Sequence, residues 1–227
     1  MKKLFIFAFA ITLFTACNNG SDAEKATVGE TQDAAALVGG AYAADLATST
    51  ISWKGTKFNG DSHGGTLSIS DGNFAVDNEA ITGGTFTIDM NSMVVTDDME
   101  DKSKQDLIGH LKNGDFFETE KFPTATFTIT GVETLEGDTT YTHNIAGNLK
   151  MKSIENNVTF KANITNENGV VKATSQGFTI NRMLWKIEYA NSLIAKVKDK
   201  AIKDELELQI TLVANAATAE GDEEETK

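Results

Sequence analysis

Four stretches of this chain alternate apolar and polar residues with a period of two, and that alternation restricts the fold more than any other feature. Phe86, Ile88 and Met90 alternate with Thr87 and Asp89, and Ala125, Phe127 and Ile129 with Thr126, Thr128 and Thr130. Val158, Phe160, Ala162 and Ile164 alternate with Thr159, Lys161 and Asn163, and Leu206, Leu208, Ile210 and Leu212 with Glu207, Gln209 and Thr211. A period of two puts every second side chain on one face, so each stretch predicts a strand with one dry face and one wet face. Shorter candidates lie at 51–54, 66–70, 73–76, 144–151, 170–174 and 177–180. Turn signals separate them: "SDGN" at 70–73, where Gly72 is suited to a tight hairpin, "EGD" at 136–138 and "NENG" at 166–169. Strands at hairpin distance pair antiparallel. About eight to ten strands must then hide their apolar faces, in a two-sheet sandwich or in a barrel closed on itself, and the pattern leaves both open.

Two segments leave the strand pattern. Residues 98–113, "DMEDKSKQDLIGHLKN", carry Leu107, Ile108 and Leu111 at helical spacing, with acids early and Lys112 late, and Gly114 is placed to end the helix. Residues 190–203 show Leu193, Ile194 and Val197 on one helical face, with Asn191 or Ser192 as the cap. Three aromatics, Phe116, Phe117 and Phe122, fall between the first helix and the strand that follows Pro123, the only proline. Proline is tolerated at a strand's start. These rings are therefore expected where a helix meets the rim of the sheet, plugging its end or bordering the mouth of a cavity.

The ends of the chain speak to location. Lys2 and Lys3 precede an apolar run, 4–14, far shorter than the roughly 20 residues a membrane-spanning helix needs. With small residues at its end, 1–16 reads as a signal peptide. The sequence "LFTAC" resembles the lipobox of bacterial lipoproteins, whose cysteine is lipidated, and Cys17 is the only cysteine. The resemblance implies a membrane partner reached through an N-terminal lipid, in the bacterial cell envelope. Asn18 after Cys17 favours the outer membrane, facing the periplasm or the cell surface. Residues 17–47 are expected to be the lipidated cysteine and a flexible tether, 48–214 one domain, and 215–227 a disordered acidic tail. One cysteine excludes an internal disulfide, so packing alone must hold the domain. The formal net charge of −13 argues against nucleic acid as a partner, because phosphate recognition demands a basic footprint.

Little in the sequence points to chemistry. His63, His110 and His143 show no short ligand spacing, so structural histidines are expected rather than a metal site. No nucleophile elbow, H-E-x-x-H helix or phosphate-cradling glycine run occurs, which predicts a non-enzyme without a cofactor. Arg182, the only arginine, suits either a polar headgroup or a structural ion pair with an acid such as Asp89.

The segment "HLKNGDFFETEKFPTATF" resembles the H-L-x-x-x-D-F-F, Pro and strand motif of the YceI-like family. "WKGTKFNGDSHGGTLSIS" (53–70), "ITGGTFTIDMNSM" (81–93), "IAGNLKMKSIENNVTFKANI" (145–164), "FTINRMLWKIEYAN" (178–191) and "DKAIKDELELQITLVA" (199–214) are similar to further family segments in the family's order. The resemblance implies an all-β fold, an antiparallel lipocalin-like β-barrel of about eight strands with one or two short helices. It also implies a hydrophobic cavity for a long apolar ligand such as a polyisoprenoid, a quinone-like molecule or a fatty chain. Phe86, Ile88, Phe127, Ile129, Phe160 and Phe178 would then face that ligand from inside, with Leu149 and Ile180. Met90 and Met151 would be adaptable linings. Phe116, Phe117, Arg182 and the two tryptophans, Trp53 and Trp185, would stand at the ends and the mouth. The competing expectation is an interaction module whose barrel is filled with side chains and takes no ligand.

Overall fold

The computed structural model describes residues 23–78, 80–191 and 201–217. In chain order the strands are β1 (Glu24–Lys25), β2 (Thr27–Gly29), β3 (Gly40–Ala44), β4 (Thr50–Lys57), β5 (Ser62–Asp77) and β6 (Ala80–Val95). Helix α1 (Asp101–Lys112) follows, then β7 (Thr124–Thr134), β8 (His143–Met151), β9 (Ile154–Glu167), β10 (Val170–Ser175), β11 (Phe178–Asn181) and β12 (Ile202–Ala216). From β4 to β10 each strand pairs antiparallel with the next. β12 pairs with β10 on one edge and with β4 on the other, which closes an eight-stranded ring. The choice between sandwich and barrel falls to the barrel because of β12. Its fifteen residues are long enough to serve β10 at Thr211–Asn215 and β4 from Leu206 to Thr211.

The alternation lands as the period requires. Ala125, Phe127 and Ile129 are buried on β7, and Val158, Phe160, Ala162 and Ile164 on β9. Leu206, Leu208 and Ile210 on β12 are only half-buried, although they sit on the same inner face. They pack against the core on one side and border open space on the other.

Several expectations need correction. The stretch "SDGN" is no turn, because β5 runs through it with a register shift between Ile69 and Asp71. Gly72 serves close approach instead: a Cβ there would lie 2.8 Å from Ala44 Cβ on β3. The strand reverses at Asn78, which adopts φ 47°. Gly137 and Gly169, by contrast, take positive φ in the turns expected of them. Helix α1 stops just before Gly114, as expected, but that glycine takes no positive φ. The chain leaves α1 through extended Asn113, and the carbonyls of Leu111, Lys112 and Asn113 accept the amides of Phe117, Thr119 and Glu118, with Glu118 at φ 53°.

The largest correction concerns the stretch expected to be a tether, which contributes β1, β2 and β3 to the sheet. β1 runs parallel to β11 and β2 antiparallel to β9, so residues 24–29 fill the seam between those two strands near the cavity. β9 needs this partner because β10 pairs only with its far half, 162–167, and a strand edge in a closed wall must be hydrogen-bonded. The chain then crosses the outside of β8, β7 and β6 before β3 joins β5 and β12. At the other end, β12 continues to Ala216, past the expected start of the acidic tail at 215. The signal peptide, Cys17, most of the expected helix at 190–203 and the tail from 218 lie outside the described residues; Ile202 and Lys203, its last two positions, are strand.

Candidate functional site: a half-empty barrel

The inner faces of the ring enclose one large cavity of about 740 Å³. Its deep wall is built from the residues that alternation turns inward: Phe86, Ile88 and Met90 on β6, Ala125 and Phe127 on β7, Leu149 and Met151 on β8, and Val158 and Phe160 on β9. Phe178 on β11 and Trp53 on β4 complete that level, both registered against Leu208 of β12. The far half of the barrel is filled. There Phe74, Ile81, Ile129, Ile145, Ala162 and Leu212 leave a void of only about 30 Å³. A chain of phenylalanine rings marks the boundary, with centroids 5.2 Å apart for Phe86–Phe127, 5.7 Å for Phe127–Phe160 and 4.4 Å for the parallel pair Phe160–Phe178.

The mouth is where the chain leaves strand geometry. Leu107, His110 and Leu111 of α1 lean on it from one side, and Phe116 and Phe117 of the following turn line it beside them. Phe122 is not among the lining residues; Lys121 Nζ lies 5.0 Å from its ring centroid. The carbonyl bonds described above hold Phe116 and Phe117 against the end of α1. His110 meets the rings of Phe116 and Tyr189 edge-on at 5.3 and 4.6 Å, which makes it an aromatic packing group. Thr56, Lys57, Asn59, His63, Lys203 and Glu205 add the few further polar groups of the lining. Apolar walls with a few polar groups at the rim are the usual make-up of a site for a small apolar molecule.

Arg182 is also at the lining, but its contacts are structural. It is 3% exposed, and its Nε and Nη atoms donate to the carbonyls of Lys203 (3.1 Å), Ile202 (3.3 Å) and Ile187. Its acidic partner is Asp204 at 3.8 Å, not Asp89, whose carboxylate accepts the amide of Asn91 instead. Desolvation lowers the guanidinium pKa below its ordinary value, and the Asp204 charge opposes that. The fork thus ties Ile187, Ile202 and Lys203, all lining residues, into one rim.

Of the positions expected to face a ligand, twelve line the cavity: Trp53, Phe86, Ile88, Met90, Phe116, Phe117, Phe127, Leu149, Met151, Phe160, Phe178 and Arg182. Three do not. Ile129 lines the small void, Ile180 is 1% exposed within the wall, and Trp185 is fully buried with its indole N–H donating to the Leu149 carbonyl at 3.1 Å. Sequence reasoning missed Ile51, Leu67, Met93, Tyr189 and the β12 face of Leu206, Leu208 and Ile210 as lining. The β12 alternation was the available signal for the last three. The histidines do not converge. His63 Nδ1 is 2.8 Å from Asp97, which also accepts the Gly64 amide, and His143 sits beside Thr142 on β8, its pKa lowered by burial. Among the described residues no group of three potential metal ligands comes together.

Fold and cavity together define a lipocalin-like antiparallel barrel, open at one end and packed at the other. The chain belongs to the YceI-like family, whose YceI-like domain model matches residues 42–214. Solved structures of the same fold include BcnA of Burkholderia cenocepacia, 20% identical over 77% of this chain and 99% of that one, with a TM-score of 0.59. A second is a polyisoprenoid binding domain from Saccharophagus degradans, 14% identical over 78% of this chain and 98% of its own, with a TM-score of 0.57. No curated protein matches the sequence.

Proposed function

We propose that this protein binds a long apolar molecule, of the isoprenoid, quinone-like or fatty class, in the barrel cavity, and carries or sequesters it without transforming it. The observation that carries this proposal is the 740 Å³ cavity itself, enclosed by phenylalanine, methionine, leucine and isoleucine side chains, with charged groups at the rim. Burial of each CH₂ group there contributes roughly 0.8 kcal/mol, and an adaptable methionine lining suits a flexible chain. Family membership and the polyisoprenoid-binding description of the Saccharophagus degradans neighbour support the same class of ligand. An interaction barrel with a filled core is disfavoured by half of the interior being empty.

The site of action we assign is the bacterial cell envelope, with the barrel anchored through lipid on Cys17, in the outer membrane. What supports it is the basic start, the short apolar run and the "LFTAC" sequence around the single cysteine.

Native mass spectrometry of the detergent-solubilised protein from an envelope fraction, followed by solvent extraction, tests the ligand. A non-covalent adduct that releases a long apolar molecule is expected. A persistent apo mass after incubation with prenyl alcohols, quinones and fatty acids overturns the proposal. The intact mass of the N-terminus tests the anchor: cleavage before Cys17 with added acyl mass is expected, and Cys17→Ala should move the protein to the soluble fraction.

A further inference from the structure

We infer that the phenylalanine ring at the bottom of the cavity is a length stop, with Phe127 and Phe160 as the residues that set how much of an apolar chain the barrel accepts. This rests on the proposal that the cavity holds such a chain. The barrel itself does not end at the floor. Phe86, Phe127 and Phe160 line the large cavity on one side and the small void on the other, so their rings are part of what separates the two. Beneath them that void of about 30 Å³ is bordered by the small residues Ala162 and Ala173 on one side and by Phe74, Ile129 and Leu212 on others. The space closed off is therefore a continuation of the same tube.

The floor is held in place by its neighbours. Phe86 and Phe127 are direct cross-strand partners, and the stacked pair Phe160–Phe178 joins β9 to β11. Phe127 lies across the inward position of Gly147 on β8. A Cβ at Gly147 would come within 2.2 Å of the ring's Cζ, so only glycine leaves the ring room to lie there. Large residues set against a missing side chain fix the ring without strain, as close packing requires.

The cavity volume sets the scale. At about 30 Å³ for each water-sized group, 740 Å³ takes roughly 25 of them, close to about five isoprene units. A chain entering tail first gains affinity with each unit until its end meets the floor. Units beyond that remain outside the mouth and add nothing.

Affinities of the full-length protein for linear prenyl alcohols of increasing length, measured by displacement of a fluorescent apolar probe, test this. The expected curve rises by about tenfold or more per added unit and then breaks to a plateau. Phe127→Ala and Phe160→Ala, which join the two spaces, should move the break to longer chains by about one to two units, in keeping with the volume of a truncated ring. Phe127→Leu and Phe160→Leu, milder changes that keep the core filled, should move it in the same direction by less. A wild-type curve without a break, or folded variants with an unmoved break, overturns the stop while leaving the binding proposal standing. Failure of the wild type to bind a prenyl alcohol of any length overturns both.

Discussion

At the scale of single residues, the side chains that matter most are polar groups forced into an apolar wall. Arg182 gives its donors to three backbone carbonyls, and a lysine ammonium cannot span them in the same fork. Arg182→Lys is expected to lose about 2–4 kcal/mol in denaturant unfolding, and Arg182→Met no less, because both leave buried carbonyls unpaired. Since those carbonyls belong to the rim, both variants should also release bound ligand faster. Asp138, at the closed end, accepts the amides of Thr140 and Tyr141 and the Lys161 ammonium, and these bonds, the Thr140 amide foremost, hold its pKa at about 2 against an ordinary 3.8. A carboxylate depressed on folding stabilises fully above its unfolded value and loses that contribution as pH falls through the folded one. Exchange of the Thr140 and Tyr141 amides should therefore be protected above about pH 4 and lose protection toward pH 2, with Asp138→Asn flattening that dependence. NMR titration of the carboxyl checks the value directly. The paired rings Phe116 and Phe117 show how far residue identity reaches: the sequence expectation placed these two at the mouth, and both line the cavity while Phe122 does not. That choice depends on which carbonyls of α1 the following turn closes on.

At the scale of elements, the N-terminal strap completes the barrel wall. Residues 23–41 precede the family match, yet 24–29 seal the seam between β9 and β11. The strap is docked by outward-facing asparagines rather than by apolar contacts alone. The Asn148 side chain accepts the Gln32 amide at 3.1 Å and donates to the Gln32 carbonyl at 2.7 Å, and it also accepts from Asn157 at 3.0 Å. Gly83 on β6 leaves room for it, since a Cβ there would lie 3.0 Å from the Ala35 carbonyl oxygen. Asn148→Ala should cost about 1–3 kcal/mol and raise hydrogen exchange across 24–38 more than across β5 or β6. An unchanged exchange pattern would show that the backbone pairing alone holds the strap. None of this could be read from periodicity, because the strap's bonds go to strand edges and side-chain amides. Ladder bonds of that kind place no demand on which side chains alternate.

At the scale of the whole molecule, the ring divides its interior into a packed half that supplies stability and an empty half that supplies function. A cavity of this size costs the protein packing energy unless something fills it. Ligand binding should therefore raise thermal stability: at about 100 times Kd the gain is roughly 2.7 kcal/mol, or roughly 5–10 °C in Tm for a chain of this length. Calorimetry with and without a prenyl alcohol measures it. Phe127→Ala should lower the ligand-free Tm, and a chain long enough to refill the space should restore part of it.

The sequence by itself determined most strands of the ring, their antiparallel order and the inward faces of β6, β7, β9 and β12, because a period of two assigns each residue to a face locally. It also placed α1 and the aromatic turn after it. Only the tertiary structure decided that β12 joins β10 to β4 and closes a ring, that the N-terminal stretch is wall rather than tether, and that Arg182 pairs with Asp204. It alone decided that Ile129 lies below the floor while Phe127 forms it. Those outcomes depend on which strands meet edge to edge and on how much volume the inward residues leave between them. Both are sums over the whole closed barrel, and no local pattern records them.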